Sequence, residues 1–201
     1  MVVPHFRYFD KNVYEQQAFQ VKHRQNQSPL TGSEPKWNPR QWNQIEKIIA
    51  HHNCYSYATD TYSLNRNGKA QPGYFSGLDG VEEDQYNCLN FLKRLRRDIP
   101  SFVLTSFDAK CPKGFHKAFM AIDPKKNDVD YHFYRQDRNG RWSHKPGRTE
   151  VTNLDAKNKP ILNPLKANRK YSGYQYIIPC FFFCIEKGLA RTSSQELPQK
   201  I

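Results

Sequence analysis

One cysteine of this chain occupies a position that favours nucleophilic chemistry. The run Asn53-Cys54-Tyr55-Ser56 predicts a helix that begins with Asn53 as its N-cap and with Cys54 in its first turn. Unpaired backbone N–H groups and the positive end of the helix dipole favour a thiolate there, so the pKa of the Cys54 thiol should fall. We therefore predict Cys54 as the nucleophile of a hydrolase, provided that another part of the chain supplies a base.

Two downstream histidines are candidates for that base and its partner. His132 and His144 are separated by the turn-forming pair Asn139-Gly140. A hairpin would bring both imidazoles to one face of a sheet. There His132 would act as the general base, and His144 would orient it through its second ring nitrogen. His116, at the start of another predicted strand, stays open as the alternative base.

An acyl-transfer site also needs hydrogen-bond donors for a developing oxyanion. The backbone N–H of Cys54 is one candidate, with a side-chain donor from Asn53, Gln44 or Gln41. Such a site needs neither a metal nor an organic cofactor, so we expect none. A zinc site formed by His51, His52, Cys54 and a second cysteine is the weaker alternative.

These residues resemble the papain-like cysteine peptidases, and most closely their compact NlpC/P60 and CHAP-type branch. The similarity is carried by Asn53-Cys54-Tyr55-Ser56-Tyr57, Gln71-Pro72-Gly73, Tyr131-His132-Phe133 and Trp142-Ser143-His144. It implies a papain-like core over residues 39–145 and cleavage of an amide, isopeptide or ester bond in a peptide or protein substrate. Longer stretches, including the seven residues that begin at Tyr131, also resemble an uncharacterised family of large DNA viruses and bacteria, which implies no activity.

Hydrophobic spacing predicts the elements that would hold these residues. Helical spacing covers residues 39–49 and 82–97, and the second helix should bury Leu89, Leu92 and Leu95. Helices first and strands afterwards predict an α+β fold, with N-terminal helices packed on an antiparallel sheet of about five strands in a papain-like, NlpC/P60-type core. Pro179 favours an edge position or a bulge in the last strand. The predicted strands cover residues 101–105, 117–122, 131–135, 141–144 and 176–185.

The predicted elements divide the chain into three parts. We expect an N-terminal arm over residues 1–36, a papain-like catalytic domain over residues 37–190 and a C-terminal tail over residues 191–201.

The chain is strongly basic, with a formal net charge of +12. Such a charge attracts polyanions, among them nucleic acids and anionic polymers. Cations and aromatic residues interleave on the predicted hairpin, which suggests a polyanion-binding surface formed by Arg135, Arg138, Arg141 and Lys145. A basic, aromatic-rich module that binds nucleic acid or another polyanion without catalysis is therefore the alternative to the hydrolase.

The cysteines and the apolar runs bear on the cellular compartment. Five cysteines are an odd number, which argues against a disulfide framework. Cys180 and Cys184 should share one face of a strand as small apolar side chains. No apolar segment follows Met1 as in a signal peptide, and the run 176–185 is too short to cross a bilayer. We expect a cytoplasmic protein without a membrane span, with signal-independent export or packaging in a virion as the other routes.

Overall fold

The fold is of the α+β class, with short helices that come before an antiparallel sheet. The computed structural model describes residues 27–125 and 128–186. Within these ranges there are five strands: β1 Val103–Thr105, β2 Phe115–Asp123, β3 Asp130–Gln136, β4 Trp142–His144 and β5 Ile178–Glu186. They form one sheet in the order β1-β5-β2-β3-β4, which confirms the predicted class and number of strands.

The predicted arm and tail lie mostly outside the described residues, at positions 1–26 and 191–201. Residues 27–36 belong to the predicted arm, yet they pack along the β3–β4 hairpin. The side-chain Nε2 of Gln136 donates to the carbonyl of Ser28 at 2.7 Å, and the backbone N–H of Arg138 donates to the carbonyl of Pro35 at 2.8 Å. This part of the arm is therefore held against the sheet.

Three helices of five or six residues lead to the sheet: α1 Pro39–Asn43, α2 Glu46–His51 and α3 Cys54–Ala58. The single helix predicted over residues 39–49 is thus two helices, because the backbone is extended at Ile45. Both predicted caps are confirmed. The side chain of Asn38 accepts from the N–H of Gln41, and that of Asn53 accepts from the N–H of Ser56 at 3.1 Å.

The next helix is shorter than predicted. Residues 82–87 form a 3₁₀ turn and a link, and α4 Cys88–Asp98 begins only after the N-cap Asn87. The apolar face consequently includes Phe91 with Leu92 and Leu95, all three buried. The predicted burial of Leu89 is wrong, since 40% of this residue is exposed.

The long strands β2 and β5 form the centre of the sheet. Met120 of β2 pairs with Phe181, but the next residue, Ala121, pairs with Pro179, so Cys180 is an extra residue in β5. This is the bulge that Pro179 predicted. The hairpin between β3 and β4 is confirmed as well, with the N–H of Gly140 bonded to the carbonyl of Asp137 in the turn.

The two faces of the sheet carry separate apolar cores. On one face, side chains of α3 and α4 pack on alternate residues of β2, β3 and β5, such as Met120, Phe133 and Phe183. On the opposite face, Phe119 and Phe182 pack under the irregular segment 161–176, which has no helix or strand of its own. The cavity described below opens where this segment meets the beginning of β3.

The cysteines form two disulfides, so the prediction of no disulfide framework is wrong. Cys88 at the start of α4 is bonded to Cys180, and Cys111 is bonded to Cys184. The odd total of five misled the prediction, because Cys54 alone stays free. The shared face of Cys180 and Cys184 is also wrong, since the bulge places Cys180 in the helix-side core, whereas Cys184 follows Phe182 on the other face.

Candidate functional site

A cavity of about 530 Å³ lies at the beginning of β3 and brings three of the predicted residues together. Cys54 reaches it from the first turn of α3, His132 from β3 and His144 from β4. The register explains why the histidines are close. Tyr134 pairs directly with His144, so His132 is the diagonal neighbour of His144 on the same face.

The thiol of Cys54 is buried and protonated. Its Sγ donates to the carbonyl of Tyr131 at 3.8 Å. Burial, together with the carboxylate of Asp130, raises the pKa of the Cys54 thiol to about 12. The predicted fall of this pKa at the helix N-terminus is therefore wrong, because the loss of solvent outweighs the helix dipole.

The two histidines form a neutral pair. Nε2 of His132 lies 2.7 Å from Nδ1 of His144, and Nε2 of His144 lies 3.0 Å from the carbonyl of Leu154. A carbonyl only accepts, so Nε2 of His144 carries its proton and Nδ1 accepts from Nε2–H of His132. Burial lowers the pKa of His144 to about 4 and that of His132 well below its usual range. Both rings are thus uncharged at neutral pH.

The structure does not join the thiol to an imidazole by a hydrogen bond within the described residues. Cys54 packs in the same core as Tyr131 and Phe133. His132 lies between these two residues on β3, so its side chain points to the opposite face, where it stacks on Tyr176 at 4.6 Å. The nucleophile and base roles of Cys54 and His132, and the orienting role of His144, stay predictions.

Of the alternative base and the side-chain oxyanion candidates, Asn53 alone lines the cavity. His116 is buried away from the cavity, with Nε2 2.8 Å from the carbonyl of Ala58, and burial lowers its pKa to about 4. Asn53 lines the cavity, but its amide caps α3 and donates to the carbonyl of Ala70 at 2.7 Å. Gln44 is exposed at the end of α1 and does not line the cavity.

The predicted polyanion surface is split between surface and interior. Arg138 and Arg141 are exposed, whereas Arg135 and Lys145 are buried. The guanidinium of Arg135 lies 3.9 Å from the ring centroid of Tyr57 and pairs with Asp60 and Asp137.

The ammonium of Lys145 donates to three carbonyls, those of Ile49, Gly147 and Thr149, at 2.8–2.9 Å. These three hydrogen bonds hold α2 and the loop after β4 together. Like Arg135, Lys145 therefore serves the fold rather than a polyanion.

Most of the residues that shape the cavity were not among the predicted site residues. Tyrosines from the segment 171–176 form one wall, with Tyr86 and Tyr131 on other parts of the rim. Charged groups of both signs, such as Asp130 and Lys69, also line it. The high proportion of tyrosine in residues 171–176 was the one feature of the sequence that could have indicated this aromatic wall.

Neither a metal cluster nor a membrane helix is found in the described ranges. No group of three or more His, Cys, Asp or Glu side chains there could hold a metal ion. No helix in the same ranges is long and apolar enough to span a bilayer.

Comparison with known proteins identifies a relative but not a fold family. No protein-family model and no solved structure matches the chain. The insoluble matrix shell protein 1 of Ruditapes philippinarum is 35% identical over 137 residues, which cover 67% of this chain and 81% of the relative.

This relationship corrects the predictions of function and location. A relative that is an insoluble matrix protein of a shell points to a structural role, so the predictions of a cysteine hydrolase and a thiol protease are wrong. The cytoplasmic location is also wrong. It conflicts with such a relative and with two disulfides, which persist in oxidising compartments outside the cytosol. The chain belongs to the family of the insoluble matrix shell protein 1.

Proposed function

We propose that this protein is a structural, non-catalytic component of an insoluble extracellular matrix of the shell type. The observation that carries the proposal is its relationship to an insoluble matrix shell protein over most of that protein's length. A matrix component has to persist outside the cell and to hold neighbouring macromolecules. Two features of the fold support these requirements.

The first feature is the pair of disulfides on β5. Cys88–Cys180 links this strand to α4, and Cys111–Cys184 links it to the loop before β2. The bonds close loops with sequence separations of 92 and 73 residues. Native disulfides over such spans stabilise a fold by roughly 2–5 kcal/mol each. They suit a protein that must last without replacement.

The second feature is a group of exposed lysines on the segment after β4, which we call the lysine patch. The carboxylate of Asp155 accepts from the N–H groups of residues 157, 159 and 168, which folds this segment into a compact loop. Acidic macromolecules of a matrix are the partners that such a surface attracts. The patch consists of Lys157, Lys159, Lys166 and Lys170.

We further propose that the domain keeps a papain-like, NlpC/P60-type arrangement without its chemistry. The support is the placement of Cys54 at the start of a helix packed on β3, with His132 on that strand and His144 on the next. A protonated thiol and two neutral imidazoles suit a structural role for the same residues.

Fractionation of the producing tissue tests the structural role. An antibody against the purified protein should detect it in extracellular material that stays insoluble after extraction with high salt and detergent. Recovery of the protein in the soluble intracellular fraction would contradict the proposal.

Retention on an insoluble acidic polymer tests the proposed partner. The oxidised full-length protein should bind carboxylated polysaccharide beads at low salt and elute as salt screens the charges. Substitution of all four lysines of the lysine patch by Gln lowers the net charge from +12 to +8 and should shift elution to clearly lower salt.

A charge-matched control separates the patch from net charge alone. Replacing four exposed lysines elsewhere by Gln gives the same net charge of +8 and should leave elution closer to that of the parent protein. Equal shifts for the two variants would remove the patch from the proposal. Stronger retention on RNA than on the acidic polysaccharide would point to a nucleic acid instead. The control lysines are Lys36, Lys47, Lys110 and Lys113.

A further inference from the structure

The cavity contains a stack of aromatic rings that leads from solvent to its floor. Tyr174 is 42% exposed, and its ring is parallel to that of Tyr176 within 3°, with centroids 6.1 Å apart. Tyr176 in turn stacks on the buried ring of His132 at 4.6 Å. Tyr174 therefore offers an aromatic surface at the entrance, and the stack beneath it keeps that surface in place.

Among the described residues, the charges that line the cavity balance, in contrast to the protein as a whole. In the lining, Lys69 and Arg148 contribute two positive charges, and Asp128 and Asp130 contribute two negative ones, with Asp128 also paired at 2.7 Å with Lys125 outside the lining. The histidines add none, because burial keeps both neutral. A lining whose described residues carry no net charge, on a protein of net charge +12, does not select a polyanion. It suits an uncharged ligand.

Polar groups with complementary hydrogen-bonding roles are interleaved with the rings. The carboxylate of Asp130 accepts from the hydroxyl of Tyr176 at 2.7 Å, which leaves further lone pairs for other donors. The hydroxyl of Tyr131 donates to Oε1 of Gln71, so the amide nitrogen of Gln71 is available to donate. Aromatic faces beside carboxylate and amide groups match a ligand that has flat C–H surfaces and many hydroxyls.

We infer that this cavity binds a short segment of a neutral, β-linked polysaccharide. In β-1,4-linked chains of glucose or N-acetylglucosamine the ring substituents are equatorial, so each ring presents a flat C–H face that would stack on Tyr174. Their hydroxyls would donate to Asp130 and accept from Gln71. The volume of about 530 Å³ falls within the range of roughly 300–1,000 Å³ of ligand sites. This inference goes beyond the proposed matrix role, in which the lysine patch contacts acidic partners.

Calorimetric titration of the oxidised full-length protein tests the inference. The probes are cellohexaose and the β-1,4-linked hexamer of N-acetylglucosamine, with a sulfated hexasaccharide as the charged comparison. We expect at least one neutral hexamer to bind with an affinity that changes little between low and high salt, because no ion pair is formed. Tyr174→Ala should weaken that binding by about tenfold, through loss of the stacking surface.

Tyr74→Ala is the matched control, because Tyr74 is a partly exposed tyrosine that does not line the cavity. It should bind the neutral hexamer as the parent protein does, and circular dichroism should confirm that both variants are folded. Failure of both neutral hexamers to bind overturns the inference, as does equal weakening by the two variants or binding of the sulfated sugar alone. Salt-dependent retention on acidic beads would survive such a failure, so the two proposals fail separately.

Discussion

Strand β5 and the cavity use cysteine in opposite ways. Along β5, Cys180 and Cys184 each meet a second cysteine and form a disulfide. In the cavity, Cys54 contacts a backbone carbonyl and, among the described residues, forms no hydrogen bond to an imidazole, so it stays a protonated thiol. The difference shows that the three-dimensional neighbours of a cysteine, rather than its position in a helix or strand, decide its chemistry.

The largest difference between the two regions should appear in stability. Removal of the Cys88–Cys180 bond by paired Ala substitutions, or of Cys111–Cys184 in the same way, should lower the free energy of unfolding by roughly 2–5 kcal/mol. The reason is that each bond restricts the unfolded chain over a long loop. Guanidinium denaturation monitored by circular dichroism measures the change.

Cys54→Ala supplies the matched control from the cavity. It removes one weak hydrogen bond and a small buried sulfur, so we expect a loss of about 1 kcal/mol. If Cys54→Ala destabilised the protein as much as loss of a disulfide, the contrast between the two regions would disappear.

Local patterns predicted much of the fold. Alternating or continuous apolar runs located the five strands of the described residues, and Asn53 before Cys54 located the start of α3. The disulfides were beyond reach, since their pairing depends on a bulge at Cys180 that sets which face each cysteine takes. The predicted burial of Leu89 was wrong for a related reason. The helix begins six residues later than predicted, so a different face packs against the sheet.

The second expected effect concerns thiol reactivity. Since burial raises the pKa of Cys54 to about 12, its thiolate fraction at neutral pH is far below that of an ordinary cysteine. Iodoacetamide should therefore label the native protein roughly a thousandfold more slowly than the unfolded chain. Mass spectrometry of alkylated peptides over time measures both rates.

The His132→Ala variant makes this test specific. The native rate should not fall in that variant, because His132 does not hold the thiol as a thiolate. Rapid labelling of Cys54 at neutral pH that is lost in His132→Ala would instead indicate an activated nucleophile, and would contradict the non-catalytic function.

The candidate site was predicted in part. What the sequence did not reveal was which of its side chains are buried. The hairpin turn at Asn139-Gly140 correctly placed His132 beside His144, since the register of a tight hairpin follows from its sequence. No local pattern indicated that Cys54 would lose solvent or that Arg135 would lie inside the protein. Both depend on what the distant segments of the chain place above them.

The last expected effect is a loss of stability in mild acid. Burial lowers the pKa of His144 to about 4 and that of His132 well below its usual range, whereas both titrate near 6.5 in the unfolded chain. Below pH 6.5 the unfolded state binds more protons at these two positions, so their contribution to stability falls as the pH falls and levels off only below the native pKa values. We expect the free energy of unfolding to drop between pH 7 and pH 5.

The double variant His132→Gln/His144→Gln should reduce this pH dependence of the unfolding free energy. His52 and His116, whose pKa values burial also lowers, should preserve part of it. If the pH dependence of the unfolding free energy were unchanged in that variant, the cavity histidines would already be charged in the native protein. That result would contradict the conclusion that both imidazoles are neutral.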